Sequence, residues 1–201
     1  MKTADQFSSP PADYNVVVPD GWFQLALEPE DRDRGIVALA ELTFRGQDNA
    51  PHLKKQFMQD LQQKAKDAYQ VGGTELYLST MTVGPLPLAS SLLISVPGPG
   101  EWPETSDAAA LAEHLADRHR DEEISVVELT AAGRAVRHRR REAPDPARQS
   151  GNTLPTTTLT YYVPIPATTR WLLLNFSTPV DQLADQMVAL FDTVAGTLHW
   201  G

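Results

Sequence analysis

The stretch "YYVPIPATTRWLLLNFSTPVDQLADQMVALFDTVAGTLHW", residues 161–200, decides the fold. Its run Trp171 to Phe176 is apolar at every position but Asn175 and shows no alternation, the mark of a central strand with apolar contacts on both faces. Thr178 then stands where a helix cap belongs, Pro179 at the first helical position, and Asp181 three past the cap. Val180, Leu183, Ala184, Met187, Leu190, Phe191 and Val194 follow at spacings of three and four, which marks the buried face of an amphipathic helix. A strand and a helix laid upon it are therefore expected here.

Working outward, four strands are read in the C-terminal half: Ile124 to Leu129, Arg134 to Glu142, Leu154 to Val163 and Arg170 to Ser177. The linker "APDPARQSGN" separates the second and third. Upstream, "SDAAALAEHLADR" reads as a short helix capped by Thr105 or Ser106, with Leu111 and Leu115 inward. "TELYLSTMTV" and "LASSLLISV" read as strands joined by Gly84-Pro85-Leu86-Pro87. A helix from about Ala50 to Val71, capped by Asp48 or Asn49, carries Leu53, Phe57, Leu61, Ala65, Ala68 and Tyr69 on one face and ends at Gly72-Gly73. A shorter helix, "PEDRDRGIVALAELTFRG", precedes it and ends at Gly46. At the start, Tyr14 to Val18 and Trp22 to Leu27 flank the turn Pro19-Asp20-Gly21. Residues 1–12, rich in Ser, Pro and Asp, read as a flexible arm, and residues 13–201 as a single domain. The fold class is α+β, a largely antiparallel sheet flanked by helices.

The composition bounds the function. A chain of 201 residues with 41% hydrophobic and 21% charged residues is of ordinary globular make-up. Its net charge of −9 repels polyphosphates over most of the surface. With no cysteine there is no disulfide, thiolate nucleophile or cysteine metal cluster. No apolar run approaches the ~20 residues needed to cross a bilayer, and the first residues lack a signal-like apolar core. A cytoplasmic location is expected, with no membrane partner.

The opening "VVVPDGWFQL", a helical excursion, a long amphipathic helix, a pair of hairpins and the closing stretch quoted above resemble, in that order, the PsbP-like superfamily. That superfamily includes the photosystem subunit P, a eukaryotic Ran-binding protein and many bacterial proteins. The likeness spans roughly residues 13 to 200 and is one of pattern, with no catalytic motif. It implies an α/β/α sandwich and a docking or chaperone-like role in a bacterial protein. No functional residue carries over from it.

Against the acidic background, "RAVRHRRRE" (134–142) packs five arginines and His138 into nine positions. The preceding run "DEEISVVELT" reads as its hairpin partner through Ala131-Ala132-Gly133, which sets Glu123 beside Arg141 and Glu122 near Arg140. Residues 121–142 hold five acids and five arginines, so the hairpin is neutral. It also lacks aromatics to stack on bases, and no nucleic-acid partner is expected. Arginines on both faces suit an edge or overhanging strand. As interaction candidates for an acidic protein surface, Arg137, Arg139 and Arg141 stand first, with Trp102 in the loop "PGPGEWPE" as an aromatic anchor.

Nothing in the sequence assigns a catalytic residue, a metal set or a cofactor. His114 and His119 are five apart and diverge by about 140° on a helix. "DRHRDEE" gathers Asp117, His119, Asp121 and Glu122, yet a helix C-terminus with a favourably placed histidine explains it more simply than a metal. Serine elbows, phosphate cradles and dinucleotide glycines are absent. The expected function is thus a non-catalytic protein-interaction module, adaptor or chaperone-like, whose partner is another protein or a second copy of the chain. The alternative is a small-molecule binder or enzyme with a pocket between sheet and helices, using Tyr161 and Tyr162 with His138 or His119 as acid–base groups.

Overall fold

The computed structural model describes residues 8–46, 51–84, 86–98, 105–144 and 154–201. In chain order the elements are β1 (Tyr14–Asn15), β2 (Trp22–Ala26), α1 (Pro29–Thr43), α2 (Pro51–Gln70), β3 (Gly73–Ser79), β4 (Thr82–Val83), β5 (Leu86–Pro87) and β6 (Ser91–Ser95). Then come α3 (Ala108–Arg118), β7 (Glu123–Leu129), β8 (Gly133–Glu142), β9 (Thr156–Pro164), β10 (Trp171–Thr178), a 3₁₀ turn (Asp181–Leu183), α4 (Ala184–Ala195) and β11 (His199–Trp200). Seven strands form one sheet in the order β2-β3-β6-β10-β9-β8-β7, and every pairing is antiparallel.

β10 is the fourth of the seven, so the unbroken apolar run does mark the centre of the sheet. Alternation along it sends Leu172, Leu174 and Phe176 to one face, where Met187, Val188, Phe191, Val194 and Ala195 of α4 cover them. Trp171 and Leu173 go to the other face, beside Tyr162 and Val136, beneath Leu111 and Leu115 of α3. Farther along the same face, Leu76 and Leu25 lie under Ile36 and Leu39 of α1 and Leu61 and Ala65 of α2. Helices thus flank both faces, the α/β/α sandwich that the PsbP-like resemblance implies. Both faces bury extended apolar clusters, and at about 25 cal/mol per Å² this burial is the main favourable term.

Several local expectations change. The strand foreseen at Tyr14–Val18 shortens to two residues, paired with the unforeseen β11 (Tyr14 with Trp200). Thr178 does not open a continuous helix. It belongs to the β10 ladder, its hydroxyl donates to Ala89 O at 2.8 Å and accepts from Val180 N at 3.2 Å, and the chain must first turn away through the 3₁₀ segment. The cap of α3 is Asp107, whose carboxylate accepts from Ala109 N at 2.9 Å. Thr105 instead accepts from Asp107 N. On α2 only Leu61 and Ala65 of the stripe are buried, while Leu53 is 48% exposed and Tyr69 is also open. The helix lies over the β2–β3 end of the sheet beside α1, with Phe57, Met58 and Ala68 partly buried against the same cluster. The caps foreseen at Asp48 or Asn49, the N-terminal part of the arm and most of the 143–152 linker lie outside the described residues.

Candidate functional site

β8 is not an edge strand. It lies between β7 and β9, and the edge is β7. The hairpin turn closes one step earlier than the sequence suggests: Ala132 N donates to Leu129 O at 3.1 Å, and Gly133 pairs with Leu129. The register therefore sets Glu123 opposite Arg139, two residues from the foreseen Arg141. Because the slip is two residues, each side chain keeps its face.

Alternation on β8 sends Arg137, Arg139 and Arg141 to the α4 face. There they meet aspartates in reverse order. Arg137 makes a bidentate pair with Asp192 at 2.8 and 3.1 Å, and Arg139 reaches Asp185 at 2.6 Å. Arg141 makes a second bidentate pair, with Asp181 at 2.9 and 3.0 Å. Asp185 and Asp192, seven apart, share one face of α4, and Asp181 stands in the 3₁₀ turn before it. The hydroxyl of Tyr161, directly across from Arg137, also donates to Asp192, at 2.5 Å. The Asp192 hydrogen bond raises the Arg137 pKa against burial, and burial followed by Asp192 pushes Tyr161 up. Glu123 contributes less, 3.7 Å from Arg139 and 4.0 Å from Arg137. The arginines are thus engaged inside the chain, mainly by α4 rather than by their own hairpin. Trp102 lies outside the described residues.

The even-numbered residues of β8 face α3. His138 is 3% exposed, and its Nε2 makes a short contact with the Glu122 carboxylate, while Nδ1 stands 3.4 Å from the Tyr162 hydroxyl. His119, the C-cap of α3, places Nδ1 3.4 Å from the same carboxylate, and its ring centroid is 5.3 Å from that of His138. Arg140, next along the face, pairs with Glu142 at 2.9 Å. Burial first, then the charges of His119 and Arg140, hold the His138 imidazole below its ordinary pKa, although Glu122 opposes them. Burial raises the Glu122 carboxyl, but the His138 hydrogen bond and the neighbouring cations outweigh it and leave the pKa low. Tyr162 is pushed up to about 12 by burial. An ionised carboxylate thus sits between two imidazoles, next to a protonated phenol.

Of the acid–base quartet considered from sequence, the fold keeps His119, His138 and Tyr162 together and sends Tyr161 to the opposite face. Adjacent residues on a strand cannot share a face. Glu122 was visible in the sequence beside His119 in "DRHRDEE", where a helix C-terminus was the simpler reading, but without His138. The signal that finds it is the pair His119 and Glu122, three apart past a helix end, read together with the hairpin that returns His138 beside them.

A third feature lies on the outer layer. α1 and α2 leave between them an open groove of about 450 Å³ lined by Asp33, Ile36, Val37, Pro51, Lys54, Lys55, Met58, Gln59 and Gln62. Among the described residues no helix is long and apolar enough to cross a membrane.

These features define an α+β protein with an antiparallel sheet between helical layers. No protein-family model and no curated protein matches the sequence. Two solved structures are similar in fold. LpqN of Mycobacterium tuberculosis, involved in cell envelope biogenesis, is 11% identical with a TM-score of 0.47, over 96% of this chain and 86% of LpqN. The Ran-binding protein Mog1p of Saccharomyces cerevisiae is 9% identical with a TM-score of 0.42, over 63% of this chain and 78% of Mog1p. The likeness is one of fold alone.

Proposed function

We propose that this protein is a non-catalytic protein-interaction module whose docking face is the α1–α2 groove. The observation that supports the reading is an open groove between α1 and α2 with Ile36, Val37 and Met58 in its lining. Of the nine large hydrophobic residues exposed among the described residues, Val37, Leu42, Leu53, Tyr69 and Val71 lie on these two helices or directly after α2. Of these, Val37 lines the groove itself; an exposed apolar side chain counts toward an interaction surface only where it joins others. The arginine strand, engaged with α4, is not the docking element in this reading.

The occupant follows from charge. α2 carries Lys54, Lys55, Lys64 and Lys66 against Asp60 and Asp67; Lys54 is paired with Glu41 of α1 at 2.6 Å, and Asp33 also lines the groove, so Lys55 is the lining cation without such a pair among the described contacts. A partner segment with apolar anchors for Val37 and Met58 and carboxylates for the lysine rim fits best: an acidic amphipathic helix of another protein. A photo-crosslinking residue placed at Val37 or at Leu53 in cells is expected to trap one such partner, and Leu53→Asp, at unchanged Tm, to cut the yield at least tenfold. A yield no higher than from a crosslinker at Val83, far from the groove, would overturn the proposal. So would a crosslink only between two copies of the chain.

A further inference from the structure

The cluster on the α3 face of β8 serves no part of that docking role, and its geometry points to a different use. We propose that His119 Nδ1, His138 Nε2 and the Glu122 carboxylate form a binding site for a divalent transition-metal ion, zinc by its donor set, with one coordination position open. The three donor atoms lie within 4.8 Å of one another. Two donors on a tetrahedral zinc stand about 3.4 Å apart, given bonds of about 2.0–2.2 Å. His119 Nδ1 and Glu122 already stand at 3.4 Å. To admit an ion the carboxylate must draw back from His138 Nε2, and the two imidazole nitrogens, within 4.8 Å of each other, must close on it.

Two further observations favour an ion over a plain hydrogen-bonded clasp. Metal-bound histidines are held by a partner on the other ring nitrogen, which fixes ring and tautomer. Tyr162 stands at that nitrogen of His138, 3.4 Å away, with its ring stacked near-parallel at 6.3 Å. The donors also come from two elements of different rigidity. His138 is fixed in the sheet, whereas His119 and Glu122 are partly exposed in the turn after α3, so solvent reaches the side where a fourth ligand would bind. Two histidines, one carboxylate and an open position form the pattern of sites where zinc binds water or a substrate oxygen, rather than of closed structural sites. The nearby Arg140 opposes a cation, but its pair with Glu142 offsets that charge.

The test is titration of the full chain with CoCl₂ near neutral pH. One equivalent is expected to give the visible absorption of four- or five-coordinate cobalt, and one equivalent of ZnCl₂ to displace it. Zinc at a hundredfold excess over its Kd is expected to raise Tm by about 5–10 °C. His119→Ala removes an accessible donor and is expected to keep the fold while weakening binding at least tenfold. Glu122→Gln should do the same, and His52→Ala, on α2, should change nothing. Absent cobalt bands, a Tm unmoved by zinc, or equal binding by His119→Ala and His52→Ala would each reduce the cluster to a hydrogen-bonded clasp and overturn the proposal. A stoichiometric site lost with His119 would stand whether or not the groove on α1 and α2 binds anything.

Discussion

Phe191→Ala destabilises the protein by about 3–5 kcal/mol, the largest effect expected of any single truncation. Phe191 is fully buried. Its ring stacks on Phe176 at 4.9 Å and 17°, and meets Trp22 edge-on at 6.4 Å. Truncation removes the transfer free energy of the ring and leaves a hole between α4 and the central strand, because residues on a sheet cannot close in without breaking ladder hydrogen bonds. In urea the midpoint should fall with an unchanged slope, since the surface exposed on unfolding is nearly the same. Tm should fall by about 10 °C. A loss below about 1 kcal/mol would mean that α4 does not seat on β10 as described.

Gly72→Ala is expected to cost about 3 kcal/mol, from two separate sources. Gly72 holds φ +79°, which a side chain adopts only with strain of about 1–2 kcal/mol. A Cβ there would also stand 2.4 Å from the backbone carbonyl oxygen of Val96, and backbone cannot swing aside as a flexible side chain can. Gly72 O in turn accepts from Val96 N at 2.9 Å, so the clash pulls at the end of β6. Gly46 is the control. It has φ +78° but open space at the Cβ position, so Gly46→Ala should show the strain alone. Equal losses at the two positions, measured by urea denaturation, would show that the Val96 contact contributes nothing.

The fold was legible where one physical pattern dominated. The unalternating run at Trp171–Phe176 marked the central strand, and the three-and-four spacing through Phe191 marked the helix that covers it. Local hydrogen bonding was less legible, because several oxygens compete for each cap. Thr178 was captured by the sheet, and Asp107 took the cap that Thr105 or Ser106 was expected to fill. The stripe on α2 was legible as one apolar face, but periodicity shows which side chains share a face, not how many of them are buried.

The candidate site was harder still. Charge counting placed the partners of the β8 arginines in their own hairpin, whereas Arg137, Arg139 and Arg141 are held mainly by aspartates of α4 and the turn before it. Asp181, Asp185 and Asp192 lie 40 to 55 positions from the arginines they hold, and only tertiary structure brings them near. His119 and Glu122 lie in the turn after α3 and His138 on β8, with β7 between them, and their meeting depends on the hairpin register. One strand thus performs two tasks on its two faces: a guanidinium–carboxylate ladder that clamps α4, and an imidazole cluster beneath α3.

That ladder is measured most directly by a double-mutant cycle in urea with Arg137→Ala, Asp192→Ala and the pair. The bidentate, half-buried geometry predicts a coupling energy of about 1.5–2 kcal/mol, with the Tyr161 bond to Asp192 cancelling in the cycle. A coupling below about 0.3 kcal/mol would mean that the arginines of β8 are not held by α4 and stand free for an outside partner.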